Sequence, residues 1–444
     1  MFCKKIFLQL YNISNIKATV ITVWVALLTT IICYMFRVKS KNLCFSQLIL
    51  SIVAFMHCFR FDSVLVVFSF IDMLLNTFDF LNRTSFVLFK IYNLNVATNF
   101  KKEMCFLKEN LKEIILPIET NPSILSRNIH AIRLSIIQKC DEQGINYVYN
   151  NYIQLLFKTE SDGHITFDYT FPRYKNLSTF RTCSIDKPTF TINGINIKNF
   201  IIRGLLCKKY IIASVDEYYI PNRLAYKHHH FGHDILLYGY NAKKNLFNVI
   251  GYTDSGHYLP STIDCDEFVI AYLNSYGNKT IDLIETVSYY HHRIEKELII
   301  ASLEDYINSD NKSRLFDKSK WLEDGETYGI DTFEKIKSYL NDVANDNINF
   351  DKRVIYTLME HKRIMYERYE HLVKNNVIQE NESIKNELSE NYRQSCIAFS
   401  YYLKYLVAKD TSSLNKISEI IDEIKYSEIK VIPQFIELLR EEVN

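Results

Sequence analysis

Three short stretches decide how this chain reads. They are Asp216-Glu217-Tyr218-Tyr219-Ile220-Pro221-Asn222-Arg223, His233-Asp234-Ile235-Leu236-Leu237-Tyr238-Gly239-Tyr240, and Gly251-Tyr252-Thr253-Asp254-Ser255-Gly256. Residues 234–240 and 246–252 are rich in aliphatic and aromatic side chains, as strands are. Between them, Asn241-Ala242-Lys243-Lys244-Asn245 is polar turn sequence. A turn centred between Lys243 and Lys244 makes paired residue numbers sum to 487. Tyr240 then faces Phe247, Leu236 faces Gly251, and His233 faces Asp254. Opposed residues have Cβ atoms about 5 Å apart. A carboxylate at that range fixes one imidazole nitrogen as a donor and leaves the other as a base. A slip of one residue would break the pair.

Working outward, the segment 126–139 has a helical period, with Ile129, Ile132, Ile136 and Ile137 apolar. Segments 147–157 and 164–169 read as strands, 197–208 as a helix, 210–215 as a strand and 264–273 as a short helix. After residue 281 the pattern is mostly helical, over 289–306, 331–344, 351–374, 383–407 and 414–426. Heptads are not sustained, which favours a helical bundle over a coiled coil. The expected class is α+β: an antiparallel sheet with helices over 104–284, then an α-helical domain over 285–444.

Residues 1–103 differ in character. Residues 18–36 carry no charge, 43–59 are a second uncharged run, and 63–78 a third, broken by Asp72. Fourteen of the 29 phenylalanines fall in this quarter of the chain. Read literally, residues 18–78 form a membrane anchor of two or three passes, which would make the protein membrane-anchored. Basic residues flank the first run on both sides, so they set no orientation. Met104 opens what looks like an ordinary cytosolic start, and translation from there would make the protein cytoplasmic and leave 1–103 as upstream sequence; a buried helical subdomain is the third alternative.

The 52 basic and 51 acidic residues balance. No electrostatic case for a nucleic-acid partner follows. Ten cysteines show no CxxC spacing, which argues against a disulfide framework and a zinc knuckle. His228-His229-His230, with His233 and His257, lack a cysteine or acidic ligand at finger-like spacing, and no metal or cofactor is assigned.

Asp216-Glu217-Tyr218-Tyr219-Ile220-Pro221-Asn222-Arg223 followed by His230-Phe231-Gly232-His233-Asp234-Ile235-Leu236-Leu237-Tyr238-Gly239-Tyr240-Asn241 resembles the histidine-bearing core of papain-like proteins. The similarity is to bacteriocin-leader-processing cysteine peptidases and to the N-terminal domain of the butirosin biosynthesis H protein, an acyltransferase. Together with Asn150-Asn151-Tyr152-Ile153-Gln154-Leu155 and Met359-Glu360-His361-Lys362-Arg363-Ile364-Met365, it resembles uncharacterised Firmicutes proteins of peptide-natural-product gene clusters. The resemblance covers about residues 110–375 and implies a papain-like fold with a helical C-terminal extension. It makes His233 the base, Asp254 the orienting carboxylate, and the start of the 126–139 helix the site of the nucleophile.

That start reads Ser126-Arg127-Asn128-Ile129-His130, without cysteine. Ser126 suits an N-cap, and as a nucleophile it is a weaker candidate. A reactive thiolate is favoured at a helix N-terminus. Cys140 and Cys207 fall at the C-terminal ends of helices, and Cys183, in an expected loop, is the remaining thiol candidate. Asp216, Glu217, Tyr218, Tyr219 and His230 would line a substrate groove, unless the two tyrosines simply pack. Glu360-His361-Lys362-Arg363 reads as a solvated helix face, with His361 an alternative cleft residue. The expectation is a pseudoenzyme of the cysteine-peptidase or acyltransferase class, accessory to nonribosomal peptide or bacteriocin production, with a peptide or carrier-protein-bound substrate. Its alternatives are an active thiol enzyme and a membrane-tethered structural protein.

Overall fold

The computed structural model describes residues 113–159, 164–170, 177–276, 279–287, 290–312, 325–348 and 350–441. The proposed membrane spans and the Met104 start lie outside these residues. Among the described residues no helix is long and apolar enough to cross a membrane.

The fold is α+β. A seven-stranded antiparallel sheet has the order β4-β9-β5-β6-β7-β8, and β1 also pairs with β6. Its strands are β1 (Glu113–Ile115), β4 (Phe180–Asp186), β5 (Tyr210–Asp216), β6 (Gly232–Asn241), β7 (Leu246–Tyr252), β8 (Tyr258–Asp264) and β9 (Thr280–Thr286). A second sheet, of order β10-β2-β3, is built from β2 (Leu155–Thr159), β3 (Ile165–Tyr169) and β10 (Glu326–Tyr328).

Helix α1 (Asn128–Cys140) is buried along most of its length and docks on β6, β7 and β8, where Ser135 Oγ meets Tyr258 Oη at 3.1 Å. Helices α3 (Lys187–Ile192), α4 (Ile197–Leu206) and α5 (Cys265–Leu273) accompany the sheet. Asp186, Asn196 and Asp264 cap them, each accepting from first-turn backbone N–H groups. The strand expected over 147–157 is instead helix α2 (Gly144–Asn151) followed by β2. Its Tyr-Val-Tyr run has strand propensity, but tertiary contacts override it. Asn146 and Asn150, one turn apart, donate to the carbonyls of His292 and Arg293, at 2.9 and 2.8 Å.

The later helices are α6 (Lys296–Ile307), α7 (Thr332–Ala344), α8 (Arg353–Lys374), α9 (Glu382–Ala408) and α10 (Thr411–Arg440). A boundary near residue 284 was expected, yet one hydrophobic core runs across it, from Leu116 through Phe247 to Leu358 and Leu439. Helix α8 makes the join. The guanidinium of Arg368, fully buried, donates to the carbonyls of Tyr149 and Tyr152, at 2.6 and 2.7 Å. His361 Nε2 lies 2.7 Å from the carbonyl of Ile153.

The solvated face expected at Glu360-His361-Lys362 is therefore corrected, because all three are buried. Charge along a helix favours exposure, but each of these side chains has an internal partner. Lys362 Nζ meets Glu428 Oε2 of α10 at 2.6 Å, with Tyr306 Oη 2.5 Å from the same oxygen. His361 is a core residue rather than a cleft residue.

Candidate functional site

The β6–β7 hairpin forms with the expected turn and an unexpected register. Tyr240 pairs with Phe247, as the 487 sum requires. A bulge at Tyr238 then shifts the ladder, and Leu236 pairs with Ile250 rather than Gly251. Gly239 sits at this bulge, where a Cβ would come within 2.7 Å of the Ile114 carbonyl oxygen. The ladder then stops. Gly232–Ile235 pair only with β5, and Gly251 and Tyr252 only with β8.

Two side chains fill the gap where the strands part. Asn128, the first residue of α1, donates from Nδ2 to the carbonyl of Asp234 at 2.7 Å. Arg223 donates from Nη1 to the carbonyl of Tyr252 at 2.8 Å. Both carbonyls face the gap and would otherwise lack a partner. Arg223 is 3% exposed, and its Nη2 lies 3.4 Å from where a Cβ on Gly251 would stand. Burial lowers the pKa of this guanidinium, and the charges of Glu217, Tyr258 and Asp254 oppose that.

His233 therefore does not face Asp254. Asp254 donates its backbone N–H to Asn222 and accepts from the N–H of Ser255 at 2.8 Å. The bulge moves the register by one, and the Arg223 wedge separates the strands. The carboxylate that meets His233 is Glu217, with Nδ1 and Oε1 2.8 Å apart. Val215 is directly opposite His233, so Glu217, two residues on, is the diagonal neighbour on the same side. Glu217 opens a 3-10 turn over Glu217–Tyr219, and its own N–H donates to Phe231 at 2.8 Å. The His233 ring lies 5.4 Å from that of Phe231 and 6.3 Å, near-parallel, from that of Tyr252. The Tyr252 hydroxyl donates to the carbonyl of Leu125, just ahead of α1. The imidazole thus stands beside the helix start.

The expected groove residues do assemble. Asp216, 1% exposed, accepts His230 Nδ1 on Oδ2 at 2.6 Å and the N–H groups of Tyr218 and Phe231 on Oδ1, each at 3.1 Å. Burial works to raise its carboxyl pKa, but His230 and those N–H groups hold it below the ordinary value. Tyr218 stacks on His230 at 4.5 Å, Tyr219 meets Tyr218 edge-on at 5.0 Å, and Lys227 lies over both tyrosines.

The nucleophile candidates are not brought to this place. Cys183 lies in strand β4, not in a loop, and is exposed. It pairs with Leu283, which pairs with Ile211, which pairs with Leu237. It is therefore three strand spacings from β6, about 14 Å, and four residues along it from His233, about 13 Å more. Cys140 meets Tyr210 Oη at 3.1 Å, and burial raises its thiol pKa. Cys265 is the first residue of α5, but burial pushes its thiol up to about 12.

Ser126 is not the cap of α1. Arg127 holds that position and makes no side-chain cap. Ser126 is buried, and the backbone N–H groups of Leu125 and Ser126 donate to Glu360 at 2.5 and 3.2 Å. A carboxylate from α8 thus binds the chain just ahead of the helix, while the first turn of α1 has no side-chain cap. Among the described residues no group of three or more His, Cys, Asp or Glu could hold a metal. His230 and His233 each spend one ring nitrogen on a carboxylate.

Glu217 was expected beside the hairpin as a groove residue, not as the partner of His233, and Arg223 was not expected at all. The signal for the Glu217 contact is the pairing of β5 with β6. Nothing local marks Arg223 as a wedge. With Nδ1 donating to Glu217, Nε2 of His233 is left as an acceptor, suited to taking a proton from a thiol, an amide or a hydroxyl.

No family model matches the chain, and no curated protein matches it.

Proposed function

We propose that this protein is a papain-like pseudoenzyme, of cysteine-peptidase or acyltransferase ancestry, that binds a peptide or carrier-protein-bound substrate without forming a covalent intermediate. Its place would be accessory to nonribosomal peptide or bacteriocin production. The observation that carries this reading is the junction of α1 with β6. A helix start, an imidazole and a carboxylate meet there, as thiol chemistry needs. Asn128, hydrogen-bonded to the strand, opens that helix, and no cysteine stands at its start. The ring cluster of Tyr218, Tyr219 and His230 follows Glu217 directly in the chain and would receive the substrate.

The test is trapping with a thiol-directed peptidyl or acyl probe, followed by intact-mass analysis of the wild type and of His233→Ala. The expected result is no adduct that depends on His233. A stoichiometric adduct lost in His233→Ala would overturn the proposal and make the protein an enzyme.

A further inference from the structure

The geometry points to a cation-binding cage in the ring cluster: Tyr218, Tyr219 and Tyr226 form a receptor for an alkylammonium group, the lysine-type side chain of a peptide, and Lys227 fills it in the free protein. The inference rests on the proposed peptide-binding reading and names the class of side chain that the cluster takes.

Lys227 Nζ lies 5.4 Å from the ring centroid of Tyr218, 5.9 Å from that of Tyr219 and 5.4 Å from that of Tyr226. A ring face attracts an ammonium within about 6 Å, and aromatic cages recognise ligand ammonium groups in this way. Three rings on one ammonium set this contact apart. Lys187, Lys409 and Lys430 each lie over one ring. Lys362 lies over two, but it also has the Glu428 carboxylate. Among the described residues the rings are the only partners of the Lys227 ammonium.

The backbone brings this lysine back to the tyrosines. Its φ of 57° lies in the left-handed region that favours glycine, and its N–H donates to the Tyr218 carbonyl at 3.1 Å. The rings are held in turn. Tyr218 stacks on His230 at 4.5 Å and meets Tyr219 edge-on at 5.0 Å. His230 lies 2.6 Å from the Asp216 carboxylate, which also accepts the N–H groups of Tyr218 and Phe231. Three donors favour the ionised form, and a negative charge beside the rings favours a cation over them. Lys227 is exposed and the three tyrosines are half-buried, so the cage opens to solvent. Its occupant can swing out on a flexible four-carbon stem. A rival ammonium is weakened by the fraction of time that the tethered one fills the cage.

The test is a ligand-observed NMR titration of the full chain at pH 7 with Nα-acetyl-lysine amide, with Nα-acetyl-norleucine amide as the uncharged control. It compares the wild type with Lys227→Gly, which suits the left-handed backbone and removes the tethered ammonium. Lys227→Gly should bind the lysine probe about fivefold tighter than the wild type does. Adding Tyr226→Leu should abolish that gain, and the norleucine probe should bind neither protein. Equal affinity in the two proteins, binding by neither, or equal binding of the norleucine probe would overturn the cage. If Lys227→Gly does not fold, Lys227→Gln is judged by the same outcomes. A thiol-probe adduct dependent on His233, with the lysine preference intact, would overturn the proposed function and leave the cage standing. Loss of the preference without such an adduct overturns the cage alone.

Discussion

His233 Nδ1 and Glu217 Oε1 are 2.8 Å apart across strands β5 and β6, and this contact replaces the pairing with Asp254 that the hairpin implied. In the proposed reading, this pair is a site that lacks its nucleophile.

Installing that nucleophile should be informative. Asn128→Cys places a thiol at the first residue of α1, where the helix dipole and the imidazole both favour the thiolate. Its alkylation by iodoacetamide at pH 7 should be about tenfold faster than that of a free thiol. Adding Glu217→Gln or His233→Ala should return it towards the free-thiol rate. Equal rates in all three proteins would mean that the imidazole does not reach the helix start.

Glu360 fastens the segment ahead of α1. Burial raises its pKa above the ordinary value, against the N–H groups of Leu125 and Ser126 and the charge of Arg363, which lower it. The folded state therefore holds this proton more tightly than the unfolded chain. Its contribution to stability is full below the unfolded value and is lost as pH rises through the raised folded one. Urea midpoints of the wild type should fall between pH 5 and pH 8 relative to Glu360→Gln, whose response lacks this component. Glu360→Ala, which orphans two backbone donors, should cost about 3 kcal/mol.

Lys362 and Glu428 form an ion pair with both side chains fully buried, at 2.6 Å. Removing one partner should cost about 3–5 kcal/mol, because the other charge is left unpaired in the core. The double replacement Lys362→Met with Glu428→Leu should cost less than either single change. Chemical unfolding of the three variants checks this, and additive costs would contradict it.

Asp141 ties the end of α1 to the 290–295 segment. Burial pushes its pKa up, but the His292 N–H, His291, the Gln143 N–H and the His292 ring bring it down to about 2. The sign is opposite to that of Glu360. The stabilisation is present above the unfolded value and is lost as pH falls through about 2. Asp141→Asn should be about 2 kcal/mol less stable at pH 7. The gap should narrow under acid, as thermal melts at pH 7 and pH 2.5 would record.

The helices were readable in advance where their caps and periods are local. Asn196 and Asp264 mark the starts of α4 and α5, and the apolar spacing of 351–374 marks α8. The grouping of Asp216, Tyr218 and His230 was also legible, since they sit near one another along the chain. Helix α2 was not, because side-chain bonds to residues some 145 positions away override its strand propensity.

The sequence by itself determined the α+β class, the β6–β7 turn and the lack of a cysteine between residues 106 and 139. Tertiary structure alone decided which carboxylate His233 meets and which charges of α8 are buried. Periodicity reports which side of an element is apolar. A one-residue bulge, a wedge inserted between strands or an internal partner for a charge arises only when segments far apart in the chain come into contact.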